Sequence, residues 1–261
     1  MKVKSILVSQ PEPKVENSPF HTLATKQKVK IDFRPFIHVE SVPTREFRKE
    51  KVSPKDFKNV ILTSKNAVDN YFRVLEDMRI PVSNDIKYFC ISEAIAYYLQ
   101  KYVVYRKRKI YFGKQSMADL IPMLKKHKDD PFFFPTSDIL KPIVPETLEK
   151  HNINYTRAVL YRTMQSDLSD LTDVYYDILV FFSPEGIKSL FKNFPDFEQN
   201  DTRIATFGTT TTKAAEEAGV ETSIGFYLDG VFHVDQRAAA KEQMVNVGGH
   251  EVLHGILEQY F

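Results

Sequence analysis

The chain has 261 residues, with 36 Lys and Arg against 34 Asp and Glu, and so nets +2 with its histidines neutral. At 43% hydrophobic and 27% charged, it is excluded from the disordered, fibrous and membrane classes and fits one large domain or two of moderate size. Balanced charge gives no general electrostatic hold on nucleic acid or lipid, and the single cysteine, Cys90, excludes an internal disulfide or a thiolate metal cluster. A reducing cytoplasm suits that cysteine usage.

Taken in chain order, short apolar runs alternate with amphipathic stretches. The first run, Ile6-Leu7-Val8, is too short for a signal-peptide core. The longest buried-looking stretch, 178–182, is far below the ~20 residues that span a bilayer, so neither targeting nor membrane contact is expected. Strands are predicted at 3–8, 31–39, 60–63, 88–91, 109–112, 132–134, 155–161, 178–182, 203–207 and 221–226. Helices are predicted from Ser18-Pro19 onward and at 65–79, 92–101, 116–127, 143–150, 184–193 and 209–218, several opened by a capping residue. Continuous apolar strands separated by helices indicate parallel sheets covered on both faces. The class is α/β.

An internal echo divides the chain. Ile61-Leu62-Thr63-Ser64-Lys65-Asn66-Ala67-Val68 through Phe72 matches Val180-Phe181-Phe182-Ser183-Pro184-Glu185-Gly186-Ile187 through Phe191. Ser92 follows Ser64 by 28 residues and Gly208 follows Ser183 by 25, each ending a strand and opening a helix. Any two strand-turn-helix units share some likeness, but two successive units in matched order favour two similar lobes. Such lobes hold ligands at the carboxyl ends of their strands.

Those strand ends are rich in hydroxyls: Thr63-Ser64, Ser92, Thr136-Ser137-Asp138, Ser183-Pro184-Glu185-Gly186 and Gly208-Thr209-Thr210-Thr211-Thr212. Helix capping explains part of each, yet four consecutive threonines exceed what one cap needs, and threonine is a mediocre helix former. Helix starts also present free N–H groups and positive dipole ends, which suit carboxylates or phosphates. An anionic ligand is the reading. Nine glycines, against an ordinary share of ~7%, leave little room for phosphate loops, and no G-x-G-x-x-G or P-loop occurs.

The segments Leu62-Thr63-Ser64-Lys65-Asn66-Ala67-Val68, Phe134-Pro135-Thr136-Ser137-Asp138, Val159-Leu160-Tyr161-Arg162-Thr163, Phe181-Phe182-Ser183-Pro184-Glu185-Gly186 and Phe207-Gly208-Thr209-Thr210-Thr211-Thr212-Lys213-Ala214 together resemble the uroporphyrinogen-III synthase family, from about residue 3 to residue 224. The resemblance implies two α/β lobes joined by a two-strand linker with a cleft between them, residues 1–37 and 166–261 forming one lobe and 38–165 the other. It implies a monomeric cytoplasmic lyase that converts hydroxymethylbilane to uroporphyrinogen III in haem biosynthesis, without metal or cofactor. Carried over by position, Tyr161 is the expected proton donor. Thr63, Ser64, Ser92, Ser137, Lys141, Ser183, Gly186, Thr210 and Thr211 are the expected substrate-binding set. The family's further hydroxyl on the helix opened by Ser92 is replaced here by Ile95. A rival reading keeps the fold alone: a non-catalytic two-lobed binder of a small polyanion, which has no need of Tyr161 as a donor.

Two motifs are read as structural. His250-Glu251-Val252-Leu253-His254 spells H-E-x-x-H, but a third ligand is lacking, and the apolar stripe Val252, Leu253, Ile256, Leu257 and Tyr260 reads as a packing helix. Arg106-Lys107-Arg108-Lys109 reads as a solvated turn or protected edge, not a nucleic-acid contact. The segment 225–261 holds five of the nine glycines and three of the seven histidines. No proline follows Pro195, so the family's usual Pro-Thr stretch is missing there, and no ligand contact is expected from it.

Overall fold

The computed structural model describes residues 3–14, 18–224, 226–228 and 231–233. The H-E-x-x-H motif and its expected packing helix lie outside these residues. The chain divides into two compact units, one from Met1–His38 with Gln165–Phe261 and one from Val39–Met164.

In chain order the elements begin with β1 (Ser5–Val8), α1 (Pro19–Gln27), β2 (Lys30–Phe33), β3 (Ile37–Ser41), α2 (Thr44–Phe47), β4 (Asn59–Leu62) and α3 (Lys65–Asp77). They continue with β5 (Lys87–Cys90), α4 (Glu93–Leu99), β6 (Ile110–Phe112), α5 (Met117–Lys125), β7 (Phe132–Ser137), α6 (Ile143–Lys150) and β8 (Tyr155–Gln165). The last are β9 (Ile178–Phe181), α7 (Pro184–Asn193), β10 (Arg203–Thr206), α8 (Thr209–Glu217), β11 (Thr222–Ile224) and the antiparallel pair β12 (Phe226–Leu228) and β13 (Val231–His233).

The first unit's sheet has the order β11-β10-β9-β1-β2 and the second's β3-β8-β7-β4-β5-β6. Pairing along β9, β1 and β2, and along β7, β4, β5 and β6, is parallel. Period-two alternation sends successive residues to opposite faces, and both faces are buried. In β1, Ile6 and Val8 join one core while Leu7 joins the other. In β4, Val60 and Leu62 pack on one side and Ile61 on the other. The covering helices supply matching stripes: Val68, Tyr71, Phe72 and Leu75 of α3 recur at helical spacing and are all buried.

Four predicted strands differ from the structure, the one at 155–161 by running on to Gln165. The run 31–39 is two strands in different sheets, because Pro35 lacks the N–H needed to continue a ladder. The strand predicted at 132–134 runs on to Ser137 through Pro135, since pairing with β8 persists while registered pairing with β4 ends at Phe133. The strand predicted at 221–226 stops at Ile224, and Phe226 opens β12.

Candidate active site

Each sheet reverses its winding at one point. In the second unit the chain builds outward from β4 to β5 and β6 on one side and to β7 and β8 on the other. In the first unit the reversal lies between β1 and β9. At such switch points the outgoing loops part and leave a crevice at the strands' carboxyl ends. Registered β4–β7 pairing covers only Asn59↔Phe132 and Val60↔Phe133, although both strands continue.

Beyond the end of β4, Ser64 caps α3. Its backbone is extended (φ −155°, ψ 162°) and its Oγ accepts from the Ala67 N–H at 3.0 Å. The same hydroxyl lies 2.8 Å from the phenol oxygen of Tyr161. Tyr161 stands on β8, with β7 between it and β4. A register shift brings it there: Thr136 pairs with Val159, but Ser137 pairs with Tyr161. The skipped residue is Leu160, so Leu160 and Tyr161 are both buried and the strand's alternation breaks. The bulge re-aims the tyrosine over the end of β7.

Tyr161 is 7% exposed. Burial raises its phenol above the ordinary value of 10.0, aided by the Asp138 charge, while bonds from Ser64 and the Ser137 backbone pull the other way. It therefore keeps its proton at neutral pH. Ser137, half-buried, donates to Asp138 Oδ1 at 2.7 Å. Thr63 is half-buried, Lys141 is exposed, and Ser92 opens α4 in extended geometry with no capping bond from its hydroxyl. Ile95 is buried in the core, consistent with the loss of a hydroxyl there.

The first unit repeats the design. Ser183 (φ −153°, ψ 153°) caps α7 through the Gly186 N–H at 3.3 Å, the same geometry as Ser64. Gly186 is buried, and a Cβ there would meet the Phe181 ring at 3.1 Å. Its place is thus explained by close packing. Gly208 opens α8 at φ +89°, which a side chain rarely adopts. Thr210 is exposed, whereas Thr211 is only 1% exposed. The N–H groups of Thr211 and Thr212 both turn back onto the Gly208 carbonyl, and the Thr212 hydroxyl lies 2.8 Å from that of buried Thr206. Phe182 and Phe207 stack beside these turns with centroids 4.6 Å apart.

Sequence reasoning passed over Asp138, although it is quoted in a strand-end motif, and over Arg157, whose guanidinium binds Thr136 Oγ1 and the carbonyls of Ser137 and Asp138. Among the described residues no group of three or more His, Cys, Asp or Glu is placed to hold a metal ion.

The family described as uroporphyrinogen-III synthase HemD matches residues 18–224, well over half of the chain. The chain belongs to the uroporphyrinogen-III synthase family. Among solved structures it is similar to the uroporphyrinogen-III synthetase of Helicobacter pylori, at 19% identity over 84% of this chain and 91% of that one, with a TM-score of 0.56. It is also similar to a mutant uroporphyrinogen III synthase of the extremely thermophilic bacterium Thermus thermophilus, at 14% identity over 85% and 91%, with a TM-score of 0.51. At these identities the likeness establishes the fold. No curated protein matches the chain. Family membership makes uroporphyrinogen-III synthesis the function and does not favour the non-catalytic binder. Among the described residues no helix is long and apolar enough to cross a membrane.

Proposed function

We propose that the protein is a cyclising hydro-lyase whose substrate is hydroxymethylbilane, and that Tyr161 is its proton donor. The observation that carries the assignment is the buried phenol of Tyr161 held 2.8 Å from Ser64 at the switch point of the second unit's sheet. A purely structural tyrosine has no need of a bulge that turns it onto a helix cap.

Loss of the ring A hydroxyl gives an azafulvene, driven by the electron-rich pyrrole. The substituted position of ring D attacks it to form a spiro intermediate, and fragmentation and reclosure then invert ring D. The protein must assist departure of hydroxide and hold the linear chain curled. Tyr161 gives its proton to the departing oxygen. A positioned donor of this kind contributes roughly a hundred- to ten-thousand-fold.

The acetate and propionate arms are met by Thr63, Ser64, Ser92 and Ser137 in the second unit and by Ser183 and Thr210 in the first, together with backbone N–H groups at the helix starts. Lys141 adds a peripheral charge. Gly186 lets the chain pack closely beneath Ser183, and buried Thr211 supports its exposed neighbour. Neutral donors spread over several turns grip no single arm tightly, which suits a reaction in which one ring must turn over. The protein works as a monomer in the cytoplasm and uses no cofactor.

Without enzyme the bilane closes without inversion, so the product isomer reports on enforced geometry. Tyr161→Phe is expected to slow formation of the III isomer by a hundred-fold or more, on the order given for a positioned donor, and to let the I isomer accumulate. An unchanged rate and isomer ratio in that variant would remove Tyr161 from the chemistry.

A further inference from the structure

Two side chains that the reaction does not consume fasten the end of β7. Arg157 stands on β8 and reaches back across it. Its Nε donates to Thr136 Oγ1 at 3.0 Å, and its Nη2 donates to the carbonyls of Ser137 and Asp138, each at 2.9 Å. Asp138 ties the same strand end to β8 from the other direction. Its N–H donates to the Tyr161 carbonyl at 3.1 Å, and its Oδ1 accepts from the Thr163 N–H at 3.1 Å and the Ser137 hydroxyl at 2.7 Å. The register shift falls between Thr136 and Ser137, next to Asp138.

A bulge interrupts the ladder and leaves backbone groups without strand partners. A solvent-facing strand end in that state opens easily. The planar guanidinium meets three acceptors in fixed geometry, which an ammonium cannot do. Asp138 is partly desolvated, which raises its pKa, but bonds from Ser137, Thr163 and Ile139 outweigh this and hold it below 3.8. It is ionised at neutral pH and accepts both bonds.

We infer that Arg157 and Asp138 are positioning residues that lock the bulge at Thr136 and Ser137 and so keep the Tyr161 phenol on Ser64. Neither side chain bonds to the phenol; Arg157 spans the shift, from the Thr136 hydroxyl to the Ser137 and Asp138 carbonyls, and Asp138 holds the Thr163 N–H beyond it. The catalytic consequence rests on Tyr161 as the proton donor, whereas the structural consequence does not.

The test uses the full chain with 13C-labelled tyrosine, Tyr161 assigned by loss of its signal in Tyr161→Phe. Arg157→Met and Asp138→Ala are compared with Arg157→Lys and Asp138→Asn. In the first pair the Tyr161 signal is expected to titrate closer to 10.0, and exchange of the Thr163 amide to quicken at least about ten-fold, as local opening grows. kcat for the III isomer should fall roughly ten- to a hundred-fold, the scale of a misplaced catalytic group, with KM little changed. Asp138→Asn, which keeps an acceptor for Thr163, should restore most of the amide protection, and Arg157→Lys little of it. Movement of the titration with an unchanged isomer ratio would uphold the bracket and count against Tyr161 as the donor. Wild-type titration and amide exchange in both Arg157→Met and Asp138→Ala, with the chain folded, would overturn the proposal.

Discussion

At the scale of single residues, one proton decides the chemistry. Burial raises the Tyr161 phenol above 10.0, so its donor form persists through neutral and mildly alkaline pH and is lost only as pH rises through that raised value. The pH profile of kcat for the III isomer should therefore show no alkaline limb assignable to Tyr161 below about pH 10. A limb near pH 8 that vanishes in Tyr161→Phe would contradict the assignment. Ser64 and Ser183 are legible in the sequence because an N-cap announces itself by residue type and by the helix that follows. The aim of Tyr161 is not, because it depends on how β8 slips against β7, a partner distant in sequence. Thr211 is a related case. Its place in a threonine run suggests a ligand contact, but helical periodicity turns it inward, to 1% exposure, while Thr210 faces out.

At the scale of elements, the two units share one device, an extended residue at a strand end that opens a helix. Ser64, Ser92 and Ser183 adopt it with ordinary backbone angles, and Gly208 adopts it at φ +89°, ψ 142°. An added Cβ at Gly208 would meet nothing within 4 Å, so replacing it isolates backbone strain from packing. Gly208→Ala is expected to cost about 1–3 kcal/mol, read as a lowered midpoint in chemical denaturation; an unchanged midpoint would mean that α8 opens by another geometry. Apolar runs bounded by turn residues mark most strands in the sequence. The errors fall where tertiary pairing decides: Pro35 splits one run between two sheets, and Pro135 is carried inside β7 because β8 still pairs with it.

At the scale of the whole molecule, the first unit is discontinuous. Strand β1 lies inside its sheet, between β9 and β2, and Asp177 bonds the backbone N–H groups of Lys4 and Ser5. Local pattern gives no sign of that pairing; only the resemblance to the family does. The second unit, by contrast, draws both of its cores from its own segment. Residues 39–164 expressed alone should therefore melt cooperatively, while 165–261 alone should not, for want of β1 at the centre of its sheet. Cooperative melting of 165–261 alone would contradict this division. The central claim is that the chain imposes inversion on a substrate that otherwise closes without it. The most direct measurement supplies freshly made hydroxymethylbilane to the purified protein and separates the uroporphyrinogen isomers formed. Predominantly isomer III is expected, formed faster than spontaneous closure. Isomer I alone, at the uncatalysed rate, would contradict it.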